Sequence, residues 1–257
     1  LQRKEKIWQF DFGLVHTSYY QRKNSEVFEV LLKCLVRKSP DKVSKEDVED
    51  FFDISDIMMD LKHENIIEFV GIVSYPYYII VTEFVNENLK THLKSVSHYH
   101  YNASDYHRIC VQIASVLKYL ELQRYVIHRK ICCNSFLITA NTATVKLFNF
   151  SRARKVDSDE FVGEETDDVD VIGAAPETLK SNFYSTKTDV WSAGFTFWEV
   201  FSKGERPFET TPLELYIAIC YTGVFLEIPD SCPVGVFNVI KSCLRSKPEH
   251  RLTSAEL

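Results

Sequence analysis

The apolar pattern of this chain changes period once, near residue 86, and no other feature limits the possible folds as strongly. Before that point apolar residues come in short, β-branched runs. Residues 27–36 (VFEVLLKCLV) read as a mostly buried strand, and 66–73 and 77–85 as two more, broken at Tyr75-Pro76. One helix interrupts them. Ser44 is a candidate N-cap with Asp47 three residues on, and 45–61 has helical spacing with a strongly acidic face. After Asn86-Glu87-Asn88 the period becomes helical. Within 105–122, Ile109, Ile113, Val116, Leu117 and Leu120 fall on one stripe, and further helices are expected over 187–201, 212–221 and 234–244. No unit repeats at solenoid periods. The pattern predicts an α+β chain, with a small β-rich first part carrying one long helix and a larger α-helical second part.

Composition removes several functions. The net charge of −6 argues against a nucleic-acid binder, which needs a basic face. No apolar stretch approaches the roughly 18 residues of a membrane span, and no signal peptide is visible. The seven cysteines, at 34, 110, 132, 133, 220, 232 and 243, show no CxxC pair or framework spacing and read as reduced thiols of a cytoplasmic domain. The chain opens on Leu1 and is expected to be a domain excised from a longer protein, so the cytoplasmic part of a membrane protein is the alternative. Glycine is scarce: 8 residues, where average usage of about 7% gives roughly 18.

Seven segments, in one order, then carry a resemblance. His128-Arg129-Lys130-Ile131 stands where protein kinases have H-R-D-L, and Asn149-Phe150-Ser151 where they have D-F-G. Ala175-Pro176-Glu177 and Asp189-Val190-Trp191-Ser192-Ala193-Gly194 match A-P-E and D-V-W-S-x-G. Residues 243–251 resemble the last helix with its arginine, His63-Glu64-Asn65-Ile66 the stretch before the fourth strand, and 80–85 a gatekeeper and hinge. The chain therefore resembles a two-lobe protein kinase domain over nearly its whole length, with residues 1–85 as the N-lobe and 86–257 as the C-lobe. Cys132, two residues after Lys130, where Ser/Thr kinases place lysine, points to the tyrosine-kinase type. So do Trp198-Glu199-Val200-Phe201-Ser202-Lys203-Gly204 with Pro207-Phe208, and Asp230-Ser231-Cys232-Pro233. The texture is similar to Fes/Fer or Src-type kinases.

Position by position, the resemblance implies losses where the chemistry sits. Phosphoryl transfer depends on positioning and charge neutralisation. In the glycine-rich loop only Gly13 remains, ahead of Val15; Trp8 and Phe10 take the first two glycine positions, and no shift of alignment restores them because the next glycine is Gly71. Lys33 matches the third-strand lysine, but Leu31 replaces the small residue that lies against adenine. Thr82, Glu83, Val85 and Leu137 complete the implied nucleotide pocket. The helix glutamate falls on Ile54, nine residues before His63; Asp53 or Asp56 lies about 100° or more away on the helix, and a one-residue slip making Asp53 the partner is the alternative. Lys130 replaces the catalytic aspartate, and an ammonium cannot take a proton unless its pKa falls by several units. Ser135 replaces the magnesium-binding asparagine, with Asn134 one position early. Asn149 replaces the D-F-G aspartate and lacks the charge that magnesium favours.

What persists is structural. Met58, Phe69, His128 and Phe150, anchored by Asp189, can stack into a column joining the lobes, and Glu177 can pair with Arg251. The segment 152–174 contains no tyrosine, and 157–170 (DSDEFVGEETDDVD) holds eight acids. It reads either as a solvated acidic loop or as a set of carboxylates that pair with Arg129 and Arg154 in place of a phosphate. Cys132-Cys133 reads as packing, and Tyr99-His100-Tyr101 with His98 and His107 as surface; no metal site is expected.

The expectation is thus a catalytically inactive tyrosine-kinase-like pseudokinase, an interaction or allosteric module. It would bind ATP weakly or not at all and no magnesium, and its partner would be a protein such as an active kinase or an adjacent domain of its own chain. Two alternatives stay open: a diverged active tyrosine kinase using Lys33, Asn134, Asn149 and a displaced acid such as Asp53, and a nucleotide-binding switch without phosphotransfer.

Overall fold

The computed structural model describes residues 2–10, 13–21, 26–34, 43–74, 77–95, 101–124, 126–139, 141–157, 160–163, 171–224 and 226–257, as backbone alone over 2–14 and 123–124. The first part is a five-stranded antiparallel sheet with one helix: β1 (Gln2–Phe10), β2 (Gly13–Gln21), β3 (Val27–Cys34), α1 (Lys45–Asp60), β4 (Phe69–Val73) and β5 (Ile79–Glu83), in the order β1-β2-β3-β5-β4. The register places Val15 opposite Lys33, Leu31 opposite Thr82 and Val30 opposite Glu83. Helix α1 starts where the sequence places it. The Ser44 hydroxyl accepts from the Asp47 amide at 3.1 Å, and the Asp47 carboxylate accepts from the Ser44 amide at 2.9 Å.

The second part opens with β6 (Glu87–Asn88), α2 (Leu89–Ser95) and α3 (Ala103–Tyr119), followed by β7 (Val126–Ile127), β8 (Phe136–Thr139), β9 (Thr144–Leu147), β10 (Arg154–Lys155) and β11 (Glu160–Val162). Then come α4 (Pro176–Ser181), β12 (Phe183–Ser185), α5 (Thr186–Phe201), α6 (Leu213–Thr222) and α7 (Val234–Cys243). Strands β6, β8 and β9 form a small sheet, β7 pairs with β10, and β11 with β12. A continuous core runs from Val15 and Leu31 through Met58 and Phe150 to Trp191 and Ile240. At Gly194 an added Cβ would lie 2.8 Å from Cys243 Cβ and 3.0 Å from Leu244 Cγ, so α5 meets the end of α7 closely there.

Four expectations from the pattern need correction. The strand expected from residue 66 begins at Phe69, because Ile66 instead makes a lone parallel bridge to Leu147. Helix α3 begins two residues before 105, since Asn102 is the cap and Asp105 its partner in the first turn, and it ends in a π-helical turn, Leu120–Arg124. Residues 243–251 do not form a helix: α7 ends at Cys243, and Pro248, which lacks an amide hydrogen, opens a 3₁₀ turn over Pro248–His250. Tyr101 is more than surface. It is half-buried, packs against Tyr106 and lies 2.9 Å from Nε2 of the buried His92.

Candidate functional site

Strand β3 carries Lys33 into the interior, 2% exposed, where its ammonium donates to Asn149 Oδ1 at 2.9 Å and lies 5.3 Å from the centre of the Phe148 ring. Burial first, and then the charge of Lys130, lower its pKa to about 7. An ammonium is only a donor, so it fixes the orientation of the Asn149 amide: the oxygen faces Lys33, and Nδ2 is left buried with no hydrogen-bond partner. Among the helix acids, Asp53 and Asp56 are exposed on α1, and Ile54 is buried in the core.

The loop before β8 is held by Asp189 from α5. Its two carboxylate oxygens accept the amides of His128 at 2.7 Å and Arg129 at 2.9 Å. Those bonds hold Arg129 at a φ of 64°, a conformation side chains seldom adopt. Burial raises the Asp189 pKa to about 7, against the pull of the two amides and of Arg129. His128 is buried edge-on to Phe150 at 5.4 Å, and burial, with the nearby cations Lys33, Lys130 and Arg129, lowers its pKa to about 3. Lys130 is half-buried. Ser135 turns back and donates its hydroxyl to the Lys130 carbonyl at 2.6 Å, while Asn134 uses its own carbonyl to accept from Asn88.

Most of the described pocket positions are buried. Val15, Leu31, Thr82, Val85 and Leu137 are none of them more than 3% exposed. Glu83 is tied down: its Oε1 accepts from Lys146 at 2.6 Å and from the Glu68 amide at 2.8 Å. The side chains of Trp8 and Phe10 lie outside the described residues; the backbone of Trp8 pairs with Val15, and that of Phe10 with Gly13.

Met58, His128 and Phe150 are buried in the core, with Phe69 packed against it. Arg251 grips Glu177 through NH1–Oε1 at 2.6 Å and NH2–Oε2 at 2.8 Å, with its guanidinium 4.8 Å from the Trp191 ring. The acidic segment is only partly covered, because 158–159 and 164–170 lie outside the described residues. Of the two arginines that the alternative reading of this segment pairs with its carboxylates, Arg154 pairs with Asp50 of α1 at 2.9 Å, and its neighbour Lys155 pairs with Asp60 at 3.2 Å. The pairing of β10 with β7 carries both toward the acidic helix face. Arg129 lies over the rings of Tyr184 at 5.0 Å and Phe161 at 5.5 Å.

Two participants were missed in the sequence. Phe148, one residue before Asn149, packs against Lys33. Arg206 donates to the Ile172 carbonyl and lies 3.5 Å from Glu199, a buried carboxylate whose pKa burial raises. The signal for Arg206 was its place beside Pro207 in a motif already noted. All seven cysteines are free thiols, Cys133 buried and Cys132 half-buried, and no group of three or more metal-ligating side chains occurs among the described residues. Nor is any described helix long and apolar enough to cross a membrane.

Residues 1–257 match the protein tyrosine and serine/threonine kinase family. The human tyrosine-protein kinase TXK is 30% identical over 255 residues, covering 98% of this chain and 46% of that protein. The Drosophila melanogaster tyrosine-protein kinase Abl is 31% identical over 223 residues, 85% of this chain and 14% of that protein, and mouse tyrosine-protein kinase ABL2 is 29% identical over 220 residues, 84% and 18%. The chain thus spans less than half the length of these relatives. With a β-rich N-lobe, a helical C-lobe and this match over its full length, the chain belongs to the protein tyrosine and serine/threonine kinase family and is of tyrosine-kinase type.

Proposed function

We propose that this domain is a pseudokinase, a cytoplasmic interaction or allosteric module that does not transfer phosphate. One observation carries the reading: the Lys33 ammonium is held by a neutral Asn149 inside a pocket whose lining the chain itself buries. The residues present do not fit magnesium. The one side-chain oxygen of Asn149 already serves Lys33, its other polar atom is a donor, and the Ser135 hydroxyl is engaged with the loop backbone. Lys130 adds positive charge near Lys33 and has no lone pair to offer while protonated. Loss of a general base alone costs about 10²–10⁴ in rate. The partner is a protein, such as an active kinase or an adjacent domain of the same polypeptide.

Thermal unfolding with ATP alone, with ATP and magnesium, and with ATP and manganese tests the proposal, alongside a sensitive phosphotransfer assay on a tyrosine-containing polymer. The expected result is no stabilisation and no transfer. Stabilisation without transfer identifies a nucleotide-binding switch instead. The competing reading, an active protein tyrosine kinase, is favoured by the names of the relatives. Transfer that Lys33→Met abolishes establishes that reading and overturns this one.

A further inference from the structure

Two helical stripes on one flank of the chain complement each other, and we infer that they join two copies of it in a two-fold dimer, with α1 of each copy lying on α3 of the other. On α1, Glu49, Phe52, Asp56 and Met59 recur at intervals of three and four residues, and all four are exposed. The same spacing runs along α3 through Arg108, Val111, Ser115 and Lys118 to Leu122, all exposed except the half-buried Ser115. Intervals of three and four residues keep a single seam along a helix, the pattern by which two helices pack side by side. The apolar members of the two stripes, Phe52, Met59, Val111 and Leu122, are 42–53% exposed, so each has about half its surface left to bury.

The charges identify the occupant. Helix α1 carries seven acids and one lysine. Helix α3 carries one acid, Asp105, which is spent on capping the helix and on Arg108. The α1 stripe therefore calls for a basic partner face and the α3 stripe for an acidic one, and a second copy supplies both at once. Asp53, Asp56 and Lys118 are exposed, and their side chains form no hydrogen bond or ion pair among the described residues. The two stripes also meet. Just past the end of α1, the Lys62 amide donates to the Tyr119 hydroxyl at 2.9 Å, and His63 Nε2 lies 3.1 Å from the Ser115 hydroxyl within the α3 stripe. Adjacent patches of opposite charge are self-complementary about a two-fold axis between them, and that symmetry closes the assembly at two copies. Exposed ion pairs contribute little individually, so the apolar contacts supply most of the affinity and the charges select the partner.

The inference does not depend on whether the domain transfers phosphate, and its test reads mass, so its failure is distinct from any failure in the phosphotransfer assay. Sedimentation velocity from about 1 to about 100 μM is expected to show a monomer–dimer equilibrium that weakens as salt is raised. Asp53→Lys with Asp56→Lys puts cations at the centre of the α1 face, and Arg108→Glu with Lys118→Glu puts acids on the α3 face. Each double variant alone should dimerise at least about tenfold more weakly, with the circular dichroism spectrum and unfolding temperature of the wild type, because these side chains are exposed. An equimolar mixture of the two should dimerise again, since each α1–α3 contact then joins opposite charges. Damage to the fold would not be undone by mixing. A chain that stays monomeric throughout overturns the inference and leaves the stripes to a different protein. Open-ended oligomers, dimers indifferent to both reversals, or a mixture that remains monomeric overturn it equally.

Discussion

The Lys33 ammonium donates to the Asn149 carboxamide oxygen at 2.9 Å, and both side chains are buried. A neutral partner returns less of the desolvation cost of that charge than a carboxylate would. The consequence is a pH dependence of stability. Below about pH 7 Lys33 is charged in both folded and unfolded chains, and the burial penalty is fully present. Between about 7 and its ordinary value of 10.5 the folded chain has released the proton while the unfolded chain keeps it, so stability rises with pH. Two other buried groups oppose each other. Asp189, with a folded pKa of about 7, makes stability fall from about pH 4 to 7, and His128, with a folded pKa of about 3, makes it rise up to 6.5. Above pH 7 Lys33 supplies a rising slope until buried thiols such as Cys110 and Cys243 begin to matter. Urea midpoints should therefore increase from about pH 7 to about pH 8.5 in the wild type and stay level in Lys33→Met. An equal slope in both proteins contradicts the assignment.

On the proposed reading, placing carboxylates at positions 130 and 149 should not confer transfer. Lys130→Asp with Asn149→Asp supplies a base and a metal ligand, yet Leu31, Thr82 and Leu137 of the implied nucleotide pocket stay buried by the chain itself. The double variant is expected to show no phosphotransfer above background while remaining folded. Robust transfer by the double variant, with none by the wild type, would place the proposed loss in those two side chains alone.

The close approach of α5 to the end of α7 makes Gly194 a sensitive position. A methyl group there meets Cys243 and Leu244 at 2.8–3.1 Å, and these are buried side chains with little room to move. Overpacking of this kind costs about 1–3 kcal/mol. Gly194→Ala should lower the denaturation midpoint accordingly, whereas Gly235→Ala, with nothing within 4 Å of the added carbon, should change it by less than about 0.5 kcal/mol.

The sequence made local features legible and long-range pairings much less so. The Ser44–Asp47 cap could be read directly because both halves lie within four residues. The Glu177–Arg251 pair, 74 residues apart, was accessible only through the family resemblance. The two salt bridges from Arg154 and Lys155 to α1 were not accessible either way. The acidic stretch beginning at Asp157 offered a nearer set of carboxylates, and only the pairing of β10 with β7 aims these cations at Asp50 and Asp60. The substitutions at 130, 135 and 149 could be read in sequence. That Asn149 satisfies Lys33, and that the lining is buried, required coordinates.

Those two bridges are well exposed, which bounds their worth. Side-chain exposures of 26% and 56% in Arg154–Asp50 and 62% and 51% in Lys155–Asp60 leave both pairs solvated and screened by salt. Asp50→Ala or Asp60→Ala should each change stability by less than about 1 kcal/mol. The measurable effect should be local: faster amide exchange at residues 154–155 in Asp50→Ala, shrinking as salt is raised. A large global loss of stability would mean that the acidic face of α1 does more than clip this strand.

Arg251 represents the opposite extreme. Its side chain is 0% exposed, bidentate to Glu177, donating to the carbonyls of Arg245, Ser246 and Lys187, and stacked on Trp191. Removing one partner leaves the other buried and uncompensated, at about 3–5 kcal/mol. Glu177→Ala should thus cost several times more than Asp50→Ala in guanidinium denaturation. Glu177→Gln should cost less than Glu177→Ala, because the amide oxygen still accepts one bond from the guanidinium. Arg251→Lys should behave more like a deletion than a conservative change, since one ammonium cannot serve both carboxylate oxygens and the three carbonyls that the planar fork holds. If Arg251→Lys unfolds within about 1 kcal/mol of the wild type, the fork geometry is not what holds α4 to the end of the chain.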